Sequence, residues 1–159
     1  MEANQSPQTR GSVLINAQYI KDLSFENPKS PSNLIIEEQP SINVSLDVGI
    51  NPIRDKVFEV ILTIQAEGKV KNDSLFIIDL HYAGVFTIET EDQNEREMTL
   101  LVYCPSILFP YARRIISDAT RDGGFPPLMI SPIDFLSLYL QKKGSNNLSD
   151  AENDNKTVN

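Results

Sequence analysis

The chain has 159 residues, 40% of them hydrophobic and 23% charged, which is enough apolar material for one domain with a real core and too little for two. Its net charge of -8 argues against a nucleic-acid backbone as the main partner, since phosphate binding is driven by clustered Lys and Arg. One cysteine and one histidine supply neither an intrachain disulfide nor a Cys/His zinc cage, which fits a reducing cytoplasm, and no run approaches the roughly 20 apolar residues that span a bilayer.

Residues 1–12 are expected to form a polar, disordered arm without the apolar stretch of an export signal. From Val13 to Ile20 the alternation predicts a strand with Ile15, Ala17 and Tyr19 on one face and Asn16 and Gln18 on the other. A second strand follows, with Ile42, Val44, Leu46, Val48 and Ile50 alternating with polar residues, and a third carries Phe58, Val60, Leu62, Ile64 and Ala66 opposite Glu59, Thr63 and Gln65. The fourth, Leu75 to Ile88, is rich in aromatic and β-branched residues and follows a turn at Lys71-Asn72-Asp73-Ser74; its spacing from the third favours an antiparallel hairpin. It is apolar on both faces, with Phe76, Ile78, Leu80 and Tyr82 on one and Leu75 and Ile77 on the other. Helices on one side leave the second face, and the broad apolar surface of residues 108–116, for self-association or another partner.

Beyond Glu89, Asp92 and Glu95 are placed to cap a short helix with Met98 and Leu101 or Val102 on one side. A longer helix is expected from Leu108 to Gly123, with Leu108, Tyr111, Ala112, Ile115, Ile116 and Ala119 at helical spacing and Pro110 in its first turn. Ser131-Pro132-Ile133-Asp134 reads as the capping box of a last helix that ends at Lys142-Lys143-Gly144. Residues 144–159 are polar and expected to be disordered. Strands first and helices afterwards make an α+β fold, a four-stranded antiparallel sheet with helices packed on one face.

Signs of catalysis are absent. Cys104 with His81 is the sole Cys–His pair available, and Pro105 stands where an oxyanion-binding helix start would be wanted. Gly123-Gly124 lacks the lysine and hydroxyl of a phosphate loop, so the pair reads as a helix stop and a turn. No metal, cofactor or enzymatic activity is expected.

Three stretches resemble the SecB family of bacterial protein-export chaperones: YIKDLSFENP (residues 19–28), LFPYARRIISDATRDGGFPPL (108–128) and SPIDFLSLY (131–139). With the strands between them, the likeness covers residues 13–143, the expected chaperone domain. The resemblance implies a homotetramer built as a dimer of dimers, with Leu108, Tyr111, Ala112 and Ile115 on the helix that packs the dimers together. It also implies an ATP-independent cytosolic chaperone that binds unfolded precursor proteins, keeps them competent for translocation and delivers them to the SecA ATPase. A SecB-like holdase serving general or toxin-antitoxin clients is the alternative. The family's SecA-facing positions carry onto Asp22, Glu26, Ile77 and Asp79. A binder of many unfolded chains needs long apolar grooves with adaptable contacts, and Tyr19, Phe25, Phe76, Tyr82, Phe86, Tyr103 and Phe125 are its aromatic candidates. Neither nucleic acid nor membrane insertion belongs to this picture.

Overall fold

Alternation in the third strand has the expected outcome: Val60, Leu62, Ile64 and Ala66 all point into the core and are fully or almost fully buried. In the computed structural model, which describes residues 11–154, they belong to one antiparallel sheet. It is formed by β1 (Ser12–Glu26), β2 (Ser41–Arg54), β3 (Val57–Val70) and β4 (Asp73–Glu89), in the spatial order β1-β4-β3-β2. Two short turns join β2 to β3 and β3 to β4, with Lys56 and Lys71 both at positive φ (60° and 56°), as tight hairpin turns demand. A long connection from Asn27 to Pro40 carries the chain from one sheet edge to the other, so β1 pairs with β4 and both β1 and β2 are edge strands.

β1 departs from simple alternation. Its register shifts between Ile15 and Ala17 and again between Ile20 and Asp22, and each extra residue reverses which side chains face which way. Ile15 pairs with buried Phe86 and Ile20 with Tyr82, so both lie on the core side, while Ala17 and Tyr19, opposite Val85 and Ala83, lie on the outer side. The single face expected for Ile15, Ala17 and Tyr19 is therefore split in two by a bulge.

The helices cover one side of the sheet. Asp92 caps α1 (Gln93–Met98), its carboxylate accepting from the backbone N–H groups of Asn94 and Glu95. No break follows, because a π-helical turn (Thr99–Tyr103) leads directly into α2 (Cys104–Asp122). The helix expected from Leu108 thus starts earlier. Pro105, not Pro110, occupies the first turn of α2, and Pro110 sits inside it. The carbonyl it leaves without an N–H partner belongs to Ser106, which is exposed. α2 packs on β3 and β4, with Leu108, Ala112 and Ile116 fully buried against the sheet. Its end is closed by N–H donation from Gly123 to the Ala119 carbonyl (2.9 Å) and from Phe125 to the Thr120 carbonyl (3.1 Å), while Gly124 turns the chain at φ +92°.

The last helix, α3 (Phe135–Asp154), differs from expectation at both ends. Its cap is Asp134, whose carboxylate accepts from the Ser137 N–H at 3.1 Å, and residues 131–134 lie outside the helix. At its other end it continues through Gly144, an interior glycine that costs only about 1 kcal/mol relative to alanine; Ser145 Oγ donates to the Gln141 carbonyl beside it. Of the two polar arms, residues 1–10 and 155–159 lie outside the described residues.

Candidate functional site

The sheet separates two surfaces of opposite character. On the outer side, Asp22 is paired across the strands with His81, Ser24 with Asp79 and Glu26 with Ile77, and the same rows continue on β3 through Thr63, Gln65 and Glu67. Residues opposite one another in a sheet share a face, so all four positions proposed for SecA stand together. Asp22 and Glu26 are exposed, Ile77 is 37% exposed, and Asp79 is half-buried. The Asp79 carboxylate accepts from Gln65 Nε2 at 3.0 Å and stands 3.2 Å from His81 Nε2. Among the described residues Asp22 and Glu26 have no ion-pair partner, so their field is directed at solvent.

Farther along this face lies a polar network absent from the sequence reading. Glu59 of β3 is 8% exposed. Its carboxylate accepts from Tyr19 Oη, from Lys21 Nζ at 2.8 Å and from Asn51 Nδ2 at 2.9 Å, which ties β1 to β3 and β2 over the top of β4. The hydrogen bond from Lys21, then those from Tyr19 and Asn51, hold Glu59 far below its ordinary 4.5, at about 2. Burial and the adjacent carboxylate push the Tyr19 hydroxyl up to about 12. Because the folded pKa of Glu59 is the depressed one, its stabilisation is complete above about pH 4.5 and is lost as the pH falls toward 2. Glu59→Gln is expected to cost about 3 kcal/mol near neutrality and nothing near the acid limit; chemical denaturation across that range measures the difference, and an unchanged gap at low pH contradicts the assignment.

The helix side is apolar. Phe76 lies between Phe25, on which it stacks (6.2 Å between ring centroids), and Phe125, whose ring is tilted against it (5.2 Å), with Leu75, Ile36 and Leu128 around them. A β4 irregularity pairs Gly68 with Phe76 and Lys69 with Ser74, which lets consecutive Leu75 and Phe76 both be buried. The Asn27–Pro40 connection and the Phe125–Leu128 turn enclose a cleft of about 510 Å³ beside this aromatic cluster, with Glu37 and Glu38 among its lining residues. Phe25, Phe76 and Phe125 are thus brought together. Phe86, fully buried, is core and not available to a ligand, and Tyr82 is buried under Tyr111 (centroids 6.1 Å, stacked). Tyr19 is committed to Glu59 on the opposite face, and Tyr103 is exposed on the helix layer.

Of the helix positions proposed for subunit contact, Leu108 and Ala112 are 0% exposed and face the sheet, because their spacing follows the core stripe of α2. Ile115 is half-buried and Tyr111 is 52% exposed. Beside Tyr111 the core side of β1 is bare: Ile15, Ile20 and Leu23 pair with Phe86, Tyr82 and Leu80 yet are each about two-fifths exposed or more, since α2 packs on β3 and β4 and leaves the edge strand uncovered. This groove was invisible to simple alternation because the two bulges scramble the apolar phase of β1.

Cys104 and His81 are not brought together. Cys104 is fully buried in the core, where burial pushes its thiol up to about 12, whereas His81 lies on the outer face beside Asp79 and Thr63. A thiol so buried is a packing group. Among the described residues no cluster of His, Cys, Asp and Glu is placed to hold a metal, and no helix is long and apolar enough to cross a membrane.

Residues 4–146 match the family model described as preprotein translocase subunit SecB. The protein-export protein SecB of Parvibaculum lavamentivorans is 50% identical over 87% of this chain and 80% of its own length. That of Maricaulis maris is 46% identical over 86% of this chain and 78% of its own length. Among solved structures, a SecB-like chaperone of Mycobacterium tuberculosis in complex with an antitoxin peptide superposes with a TM-score of 0.64 at 13% identity, covering 76% of this chain and 90% of the other, a likeness of fold.

Proposed function

Because this chain belongs to the SecB family, we propose that it is a chaperone of protein export, which holds unfolded precursors in the cytosol without nucleotide and passes them to SecA. The observation that carries this reading is the division of labour between the two faces of one sheet. An aromatic cleft and a bare apolar edge lie on the helix side, and unpaired carboxylates lie on the other. Apolar, flexible walls suit segments of many sequences, and Glu37 and Glu38 at the cleft favour segments carrying basic residues. Asp22, Glu26 and Asp79, with Ile77 as an apolar anchor among them, suit a basic partner surface such as SecA would have to offer. Residues 13–143 carry these functions, and the bare groove between β1 and α2 is where subunits join into a dimer of dimers.

Dilution of an unfolded precursor from denaturant, with and without the purified chain and in the absence of ATP, tests the reading. Aggregation is expected to be suppressed in proportion to the tetramer, a species of about four times 17.8 kDa. A precursor that aggregates at the same rate in both samples overturns it.

A further inference from the structure

The docking acids sit on an edge strand whose side-chain phase is set by a bulge immediately before Asp22. An edge strand is pinned mainly by burying one of its faces, and a slip of one residue turns every side chain to the other side. Phe25 anchors the far end of β1 against Phe76, but the strand ahead of it is largely exposed and carries two register shifts, one of them immediately before Asp22. If that second bulge closed, Asp22, Ser24 and Glu26 would point toward the helices and Leu23 and Phe25 toward solvent.

What spans this weak point is the carboxylate of Glu59. Lys21 is the unpaired residue of the bulge, and it donates to Glu59 Oε1 at 2.8 Å. Tyr19, two residues earlier, donates to Oε2 of the same carboxylate, and Asn51 anchors the far side from β2. Between them β4 presents Ala83 and Val85, whose modest size lets the β1 side chains reach across to β3. The next residues on that face of β3, Ile61 and Thr63, are half-buried and uncharged, so the strand itself does not call for a buried glutamate at this place.

We infer that Glu59 is a positioning residue for docking: by gripping Tyr19 and the bulged Lys21 it locks β1 in the register that turns Asp22 and Glu26 outward. The inference rests on the docking reading proposed above and extends it to a residue that would not itself touch SecA.

Three variants of the full chain test it: Glu59→Ala, Tyr19→Phe, and the charge swap Lys21→Glu with Glu59→Lys, which keeps net charge and restores an ion pair. SecA affinity is read by calorimetry, amide exchange at residues 22–26 by mass spectrometry, and precursor holding by aggregation. Glu59→Ala is expected to lose about tenfold or more in SecA affinity and to exchange faster at residues 22–26, while still holding precursor. Tyr19→Phe is expected to do the same to a smaller extent, and it carries the test if the alanine variant does not fold. The swap is expected to recover both affinity and protection. Unchanged exchange at residues 22–26, or undiminished SecA binding with the grip removed, overturns the inference. Lysine substitutions at Asp22, Glu26 and Asp79 run beside these; undiminished SecA binding there sinks the docking reading, whereas the exchange data decide the grip independently.

Discussion

Replacing Asp22, Glu26 and Asp79 together by lysine is expected to abolish SecA binding at physiological salt while leaving precursor holding intact. All three lie on the outer face of β1 and β4, at or near the surface, and the two that belong to β1 are exposed and unpaired. Each reversal removes an attraction and adds a repulsion of similar size, about 1 to 2 kcal/mol for a partly solvated interfacial charge, so the triple variant should bind several hundredfold more weakly or worse. Exposed charges are screened over roughly 8 Å at physiological ionic strength. The wild type should therefore also bind more weakly as salt is raised, whereas any residual binding of the variant should strengthen as salt screens the added repulsion. Glu97→Lys, an exposed site on α1 in the helix layer, is the control and should bind normally. A triple variant that binds SecA like the wild type removes the outer face from the mechanism.

The second large effect is expected at the groove between β1 and α2. Ile20 is 48% exposed and Tyr111 52% exposed; neither is itself a buried core residue, although the Tyr111 ring lies over Tyr82. An aspartate at either position should leave the monomer folded, with its acidic side chain in water. If subunits meet here, the same change forces a carboxylate into an apolar contact, at a cost of about 3 kcal/mol, which raises the dissociation constant roughly a hundredfold. The double variant Ile20→Asp with Tyr111→Asp should then sediment as dimers or monomers where the wild type is expected to sediment as a tetramer, and circular dichroism should be unaltered. A variant that stays assembled moves the interface elsewhere.

How far the sequence could be read differs from strand to strand. β3 is buried on one side along its whole length, so Phe58, Val60, Leu62, Ile64 and Ala66 announce themselves by strict alternation. β1 has no such pressure, and its two bulges shift the phase, so the groove around Ile15 and Ile20 cannot be inferred from spacing. Glu59 is similarly hidden: as a lone carboxylate on a strand it looks solvent-facing, and only the register across three strands reveals that Tyr19, Lys21 and Asn51 converge on it. Asp22, Glu26, Ile77 and Asp79 were reached by family resemblance, and their cross-strand pairing is what makes them one surface. The helices were legible in number but not in extent. Pro105 and Pro110 lie close enough that either could open α2, and the choice depends on the π-helical turn before it. Gly144 looks like a stop, but a glycine ends a helix only where the chain must turn, and here it continues.

The sheet also has a kinetic consequence. On the proposed reading, a precursor on the helix side and a motor protein on the outer side would be separated by a full layer of backbone, so neither would have to leave for the other to arrive. Transfer is then not a competition for one place: a three-component intermediate is sterically open, and raising the motor's concentration should not by itself expel the cargo.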